Sequence, residues 1–378
     1  MKKYLTFVLL LCSLASIAQI KNTKSYSLKL DETRNLRLYI PENYDAEKSY
    51  PLIVVLDADY LFDVVVANCK FLNYNGDMPE SIVVGIEQKG LRDADSQYGE
   101  NSLPEKKGNR FFEYLGMELI PSLQKEYSLA NFRAIVGHGI TGNFTNYYLL
   151  KGEPLFKAYI NLSPSYAPRM EDYLLERLKG YEDMIFYYLA TSSNDKKENI
   201  QGAKYFNAQL RLINNENIHY YFDDFENTNH YSLASYGIPK ALNQFFEIYK
   251  PISKEEYQTK VLTYEGPVIN YLYDKYQTME SLFGFKKPVL LNDIMAIYAA
   301  TKKNKDLPSL EELSRIAKNE FPETMLGFFL EAEYHEQMGE AKKAMRTYEK
   351  AFGMKEIDFI TKDLALQRIQ SIKEDFGW

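Results

Sequence analysis

Short apolar runs separated by helical patterns occupy the first two-thirds of the chain. Residues 36–40 alternate between apolar and polar side chains and end at Pro41, which is typical of an early strand. The later runs are almost continuously apolar, as in parallel strands that are covered on both faces. These runs are residues 51–56, 81–86, 133–137, 157–162, 184–190 and 218–222.

Helical spacing of apolar residues appears between several of these runs. In residues 111–127 the apolar positions share one side of a helix, and residues 142–151 form a second helical pattern. Strands that alternate with helices predict a mostly parallel sheet with helices on both faces. We therefore expect an α/β domain over residues 19–250.

The pattern changes after Pro251. Residues 255–284 are rich in tyrosine and are not assigned to an element, whereas most of the remaining sequence is helical in pattern. Residues 339–351 place small side chains and a tyrosine at spacings that resemble the second half of a tetratricopeptide helix pair. We expect a small all-α, repeat-like domain over residues 251–378, with a structural or partner-binding role.

The first eighteen residues, MKKYLTFVLLLCSLASIA, have the features of a secretion signal. Two lysines precede an apolar stretch that is too short to span a membrane, and small residues follow it. We expect cleavage after Ala18 and a periplasmic or secreted protein. Cys69 would then be the one cysteine left, and its apolar neighbours predict that it is buried.

Composition excludes several classes of partner and cofactor. The 45 basic residues are outnumbered by 52 acidic ones, which argues against binding nucleic acid through its phosphates. Two cysteines and four histidines without ligand spacing suggest no metal, and no glycine-rich phosphate loop suggests a nucleotide. We expect no cofactor, no membrane span and, given 32 tyrosines, an ester or glycan-like small ligand.

The loops after the predicted parallel strands are where function is expected in such a sheet. Four of them carry polar residues, namely residues 57–60, 88–93, 137–142 and 226–232. Their order, together with the strand sequences, resembles the "Putative esterase" family of the enterochelin-esterase type. The likeness covers roughly residues 26–250 and includes Arg92-Asp93, Gly137-His138, Ser163-Pro164-Ser165 and His230-x-Ser232. It implies an α/β-hydrolase fold and hydrolysis of carboxylic esters.

The family's elbow, Gly-His-Ser-x-Gly-Gly, is altered in this chain. Gly139 stands where the family has its nucleophilic serine, and Thr141 stands where the family has the next glycine. Glycine has no side chain that could attack a carbonyl, and it adopts a strained elbow backbone more readily than serine. The resemblance therefore implies a protein that lacks the ordinary nucleophile.

The other parts of the family's site have counterparts here. The resemblance gives His230 the role of base, with Asp195 as the acid that orients it and Glu198 as the alternative acid. The backbone N–H groups of Ile140 and Ala58 would bind the oxyanion. His138 is expected to be structural and to point away from the base.

Other hydroxyl side chains near the elbow are expected to have structural roles. Thr141 would point elsewhere from the start of its helix, and Ser163 and Ser165 would reach the site only if it were rearranged. Three hypotheses remain. The chain binds a ligand or partner without serine chemistry; it is an active carboxylic-ester hydrolase with a displaced nucleophile; or the helical domain is the functional part and the α/β domain carries it.

Overall fold

The computed structural model describes residues 20–378, so the expected signal at residues 1–18 lies outside the described residues. The described chain divides into two compact units. The first comprises residues 20–249 with the short segment 282–284, and the second comprises residues 250–281 and 285–378. Phe283 joins the first unit because its ring lies 5.5 Å from the rings of both Phe132 and Phe246.

An eight-stranded, mostly parallel sheet forms the first unit. Its strands, in chain order, are β1 (Ile20–Ser27), β2 (Glu32–Tyr39), β3 (Tyr50–Val55), β4 (Ile82–Ile86), β5 (Leu129–His138), β6 (Ala158–Leu162), β7 (Ile185–Asn194) and β8 (Ile218–Asn229). Across the sheet they are ordered β1-β2-β4-β3-β5-β6-β7-β8. The pairs β1/β2 and β2/β4 are antiparallel, and all other neighbours are parallel.

Burial explains which strands the apolar pattern predicts well. Every residue of β3, β4 and β6 is buried, as expected for strands that helices cover on both sides. The pattern missed β1 because its sequence, IKNTKSYS, is polar and mostly exposed. This edge strand is defined by its antiparallel pairing with β2 and not by an apolar face.

Helices connect the parallel strands and cover both faces of the sheet. They are α1 (Ala58–Tyr74), α2 (Arg92–Asp95), α3 (Lys106–Glu113), α4 (Ile120–Glu126), α5 (Ile140–Leu149), α6 (Met170–Lys179), α7 (Lys197–Leu210) and α8 (Leu233–Phe245). A π-helical turn, Tyr114–Leu119, joins α3 to α4, so the predicted helical stretch is confirmed up to Glu126, and Tyr127 has extended backbone. Cys69 is buried on α1 and forms no disulfide, as its apolar neighbours predicted.

The second unit is helical throughout its main elements. They are α9 (Lys254–Glu256), α10 (Val268–Phe283), α11 (Leu291–Asn304), α12 (Leu307–Glu320), α13 (Leu326–Gln337), α14 (Ala341–Phe352) and α15 (Lys362–Phe376). The tyrosine-rich segment that the sequence left unassigned forms most of α9, a π-helical turn and all of α10. Helices α13 and α14 are joined at Gly339, whose φ of 74° suits a glycine. Ala344, Tyr348 and Ala351 of α14 are fully buried.

Within residues 20–378, no helix is both long and apolar enough to cross a membrane.

Candidate active site

The candidate site lies at the carboxyl-end edge of the sheet, where successive strands each contribute one polar loop. Chain connections run in opposite directions from β3 and β5, which are neighbours, so a crevice forms outside their ends. Asp57 and Ala58 follow β3, Arg92 follows β4, and Gly139 follows β5. The loops after β6, β7 and β8 carry Ser163, Asp195 and His230, respectively. Residues far apart in sequence therefore meet at one edge.

The turn between β5 and α5 has the backbone of a nucleophile elbow. Gly139 has φ 61° and ψ −118°, a conformation that is strained for any residue with a Cβ atom. Its N–H donates to the Leu162 carbonyl at 2.9 Å, and its own carbonyl accepts from Ser165 N–H at 2.9 Å. These bonds fix the turn against the loop after β6.

A side chain on Gly139 would point at the candidate base. An ideal Cβ atom on Gly139 would lie 3.4 Å from His230 Nε2 and 3.2 Å from Arg92 Nη2. Position 139 is therefore the place from which a serine hydroxyl could reach the imidazole. Because residue 139 is glycine, the side chains of Arg92 and His230 lie next to an α-carbon that carries no side chain.

His230 and Asp195 form a hydrogen-bonded pair. His230 Nδ1 lies 2.8 Å from Asp195 Oδ1, and the Asp195 side chain is fully buried while that of His230 is 15% exposed. Burial alone would raise the pKa of Asp195, but hydrogen bonds from His230, Ser163 and the Lys196 N–H hold that pKa below its ordinary value. The carboxylate can therefore fix the imidazole with Nε2 turned to the elbow. Glu198, the alternative acid, is exposed on α7.

Ser163 lies closer to the base than the sequence suggested. Its Oγ is 3.1 Å from His230 Nδ1 and 3.0 Å from Asn199 Nδ2, and the residue is fully buried. The expectation that Ser163 would be remote from the unrearranged site is therefore wrong. However, Ser163 contacts Nδ1, the nitrogen that Asp195 also contacts, and lies on the opposite side of the ring from Gly139. It supports the imidazole from the acid's side.

Two other hydroxyl groups near the elbow form hydrogen bonds with the backbone and with polar side chains. Thr141 Oγ1 donates to Asp57 Oδ2 at 2.6 Å and accepts from His138 N–H at 2.8 Å. Ser165 Oγ donates to Asn199 Oδ1 at 3.0 Å. Thr141 thus has the structural role that was expected of it, whereas Ser165 lines the cavity beside the elbow without any rearrangement, contrary to expectation.

The predicted oxyanion donors begin two helices. Ala58 is the first residue of α1 and Ile140 is the first residue of α5. First-turn N–H groups have no carbonyl one turn back to accept them, and the helix dipole favours a negative charge beside them. The crevice between β3 and β5 thus combines two helix starts with the side chain of His230.

An ion pair beneath the elbow was not foreseen from the sequence. Arg92 Nε donates to Asp57 Oδ1 at 2.7 Å, and Arg92 Nη2 donates to the His138 carbonyl. Burial raises the pKa of the Asp57 carboxyl, and the Arg92 charge and the hydrogen bonds from Arg92, Thr141 and Tyr60 only partly offset that effect. The sequence did indicate that Asp57 and Arg92 each follow a predicted strand. Their pairing, however, depends on β3 and β4 being neighbours, which the sequence did not indicate.

His138 packs against the base and does not point away from it, which corrects the sequence-based expectation. Its ring centroid is 4.2 Å from that of His230, and its Nε2 lies 2.7 Å from the His230 carbonyl. Tyr60 Oη is 2.8 Å from His138 Nδ1. Burial and the neighbouring His230 lower the pKa of His138 to about 3, so the imidazole is neutral and structural.

A cavity of about 270 Å³ opens beside the elbow. It is lined by Asp93, Ser96, Gln97, Tyr98, Ile140, Asn143 and Ser165. Within residues 20–378, His, Cys, Asp and Glu side chains form no group of three or more that could hold a metal ion.

Comparisons with known proteins identify the family and support the fold. The family model described as "Putative esterase" matches residues 27–232. The crystal structure of an uncharacterised protein from Capnocytophaga ochracea is 34% identical, with a TM-score of 0.82, and the match covers 94% of this chain and all of that one. An IroE-like serine hydrolase from Shewanella oneidensis shares the fold at 20% identity, with a TM-score of 0.60 over 79% of this chain and 99% of that one.

A curated protein also matches part of the chain. The uncharacterized protein YjcH of Bacillus subtilis is 23% identical over 188 residues, which are 47% of this chain and 74% of that protein.

Proposed function

Because the chain belongs to the "Putative esterase" family, with an α/β-hydrolase fold and an added helical domain, we propose that it is an esterase-like protein without serine chemistry. It binds an ester-derived or similar small ligand in the crevice at the carboxyl ends of β3 and β5. The observation that carries this proposal is the direction of the missing side chain. The Cβ position of Gly139 faces His230 Nε2 at 3.4 Å, and glycine offers no atom to be activated there.

The proposal is tested by restoring the hydroxyl. Short-chain nitrophenyl esters are incubated with the wild type, Gly139→Ser and Gly139→Ala, the last of which adds the Cβ atom without a hydroxyl. We expect wild type and Gly139→Ala to remain at the background rate. Losing a catalytic serine costs roughly 10⁴ to 10⁶ in turnover, so even a poorly placed serine should gain about 10²-fold or more.

A second substitution shows whether any gain uses the proposed base. Adding His230→Ala to Gly139→Ser should remove the gain, because the hydroxyl then has no proton acceptor. If the wild type already hydrolyses the esters and loses that activity with His230→Ala, the proposal is wrong.

One observation favours an active hydrolase as the second candidate. The His230–Asp195 contact at 2.8 Å is the arrangement of a general base, and its free face could accept a proton from water instead of serine. Hydrolysis by wild type that depends on His230 but shows no burst of nitrophenol would support direct attack by water.

Export and a partner-binding role of the helical domain complete the proposal. The signal-like residues 1–18 support removal after Ala18 and a periplasmic or secreted location. Amino-terminal sequencing of the protein from the cell envelope and the medium tests this, and a start at Met1 would contradict it. The helical hairpin of α13 and α14, closed by the buried Tyr348, supports a tetratricopeptide-like platform for a protein partner.

A further inference from the structure

Two hydrogen bonds meet at the buried imidazole of His138, one at each ring nitrogen. Nε2 lies 2.7 Å from the carbonyl oxygen of His230, and Nδ1 lies 2.8 Å from Tyr60 Oη. A carbonyl oxygen can accept a hydrogen bond but cannot donate one, so Nε2 must carry a proton. Because burial keeps the ring neutral, with its pKa lowered to about 3, Nδ1 carries no proton and accepts. The contacts therefore fix the Nε2–H tautomer of His138.

The hydroxyl group of Tyr60 must then donate to His138. Burial raises the pKa of this hydroxyl well above its ordinary value, so the group keeps its proton. Tyr60 Oη also lies 3.2 Å from Asp57 Oδ2, but a phenol has a single proton to give. Nδ1 has no other donor in the described part of the chain, whereas Asp57 also accepts from Arg92 and Thr141. The contact with Asp57 is thus the secondary one.

The main chain of His138 is fixed as well. Its N–H donates to Thr141 Oγ1 at 2.8 Å, and its carbonyl accepts from Arg92 Nη2. The residue ends β5 and is fully buried. A ring that is held by its backbone and at both nitrogens can keep a neighbouring group in place, because it has little freedom to follow that group's movements.

The neighbouring group is the loop that carries the candidate base. His230 lies in the turn between β8 and α8, and its Nδ1 is bonded to Asp195. His138 adds a second attachment at the main-chain carbonyl of His230, and the two imidazole rings pack with their centroids 4.2 Å apart. Two attachments fix both the position and the direction of the base, whereas one would let the ring pivot about its bond to Asp195.

The direction of the His230 ring decides what it can reach at the elbow. Its Nε2 lies 3.4 Å from the Cβ position of Gly139, so a small movement of the loop would take this nitrogen away from any group bound there. Tyr60 forms no hydrogen bond with His230 in the described part of the chain. Any effect of its hydroxyl on the base must therefore pass through His138.

From this series of contacts we propose that Tyr60 is a positioning residue for His230. Its hydroxyl holds the His138 ring, and the Nε2–H of that ring holds the His230 carbonyl, so the base stays aligned with the elbow. The inference goes beyond the proposed function, because it applies whether or not the wild type hydrolyses an ester.

The test observes the ring nitrogens by nuclear magnetic resonance of the purified protein. The chain has four histidines, so isotopic labelling of histidine nitrogen gives few signals. They are assigned from the variants His138→Phe, His219→Gln and His335→Gln. In the wild type we expect His138 to carry its proton on Nε2. A proton on Nδ1 would overturn the inference.

Tyr60→Phe removes the hydroxyl and keeps the aromatic ring. We expect the Nδ1 signal of His138 to shift downfield, because its lone pair has lost a donor. The proton between His230 Nδ1 and Asp195 should exchange with water about tenfold faster, which is the factor that corresponds to the loss of one ordinary hydrogen bond. An unchanged Nδ1 signal or an unchanged exchange rate would contradict the proposal.

Tyr148→Phe is the matched control. Tyr148 is buried near the end of α5, and its Oη donates to the Phe112 carbonyl at 2.8 Å, so this variant loses a comparable hydrogen bond elsewhere. Its urea midpoint should fall at least as far as that of Tyr60→Phe, while the signals of His138 and His230 stay as in the wild type. If both variants change these signals alike, general loosening of the fold is the cause and the inference is wrong.

A double substitution tests the route through His138. His138→Phe removes both ring nitrogens, so it should by itself accelerate exchange of the His230 proton. Adding Tyr60→Phe should then cause no further acceleration, because the hydroxyl no longer has a ring nitrogen to hold. A further acceleration of about tenfold would show that Tyr60 acts on His230 by another path.

A kinetic measurement extends the test to the restored serine. Should Gly139→Ser gain esterase activity, Tyr60→Phe in that background should lower kcat about tenfold and leave KM unchanged, because the base is misaligned while the crevice is intact. An unchanged kcat would count against the inference. The activity of Gly139→Ser itself bears on the proposed function alone, and the ring-nitrogen signals bear on this inference alone, so the two failures are distinguishable.

Discussion

The elbow after β5 and the loops after β7 and β8 meet at one site but differ in what they retain. At the elbow, the strained backbone and its hydrogen bonds to the β6 loop are present, whereas the side chain is missing at Gly139. At the other loops, the side chains of Asp195 and His230 are paired at 2.8 Å, one of them fully buried. The elbow has the backbone conformation of a nucleophile elbow but no side chain at position 139. The loops after β7 and β8, in contrast, have a paired imidazole and carboxylate.

The difference shows what holds an active-site frame in place. The elbow is fixed by Thr141 and Arg92, which both engage Asp57, and His138 links it to the carbonyl of His230. None of these contacts passes through the nucleophile. Under the proposed function, the site has no attacking atom at position 139 while His230 and Asp195 stay aligned, and the crevice binds a ligand instead.

The largest expected effect tests whether Asp195 still functions as an acid partner. In the Gly139→Ser background, Asp195→Asn should return esterase activity to the level of Gly139→Ala, a loss of roughly 10² to 10⁴ because the imidazole is then held in the wrong tautomer. Glu198→Gln in the same background is the control and should change the rate little, since Glu198 is exposed. Comparable losses in both variants would show that the acid has been misassigned.

A second prediction concerns His138, which belongs to the elbow strand and supports the base. Its pKa is lowered to about 3 from an ordinary value of 6.5, chiefly by burial and then by His230. Below pH 6.5 the His138 imidazole binds a proton in the unfolded chain but not in the folded one. The free energy of unfolding should therefore fall as the pH falls. The loss should be about 2 kcal/mol by pH 5 and on the order of 4 kcal/mol by pH 3.

Urea unfolding at pH 7.5 and pH 5 measures this effect, with His138→Gln as the comparison. The variant removes the titrating group, so its free energy of unfolding should change less between the two pH values than that of the wild type. Parallel pH dependence in both proteins would show that His138 can be protonated in the folded state.

The sequence predicted the strands more completely than it predicted the contacts of the site. Continuous apolar runs identified the buried strands β3, β4 and β6. The residues of the candidate site lie at or just after the carboxyl ends of β3 to β8. The polar edge strand β1 was missed, because only its pairing with β2 identifies it.

The missed contacts share one physical cause. Arg92 pairs with Asp57 across 35 residues, and Ser163 reaches His230 across 67 residues. Such pairs depend on which strands are neighbours and on their register, and the local secondary-structure propensity of a sequence predicts neither. His230 and Asp195 were predicted as base and acid only through the resemblance to a family that uses both, and the same resemblance singled out Gly139 as the position of the family's serine.

The smallest predicted effect separates backbone strain from crowding at the elbow. Gly139→Ala should destabilise the fold by roughly 1 to 3 kcal/mol, because φ is positive and the new Cβ atom meets Arg92 Nη2 at 3.2 Å. Gly90→Ala shares the positive φ but has nothing within 4 Å, so it should cost less, about 1 kcal/mol. Gly152→Ala has neither problem and should be neutral or slightly stabilising. Urea midpoints of the three variants give the comparison. If Gly139→Ala lowers the free energy of unfolding no more than Gly90→Ala does, the Arg92 side chain moves aside easily and is not held tightly over the elbow.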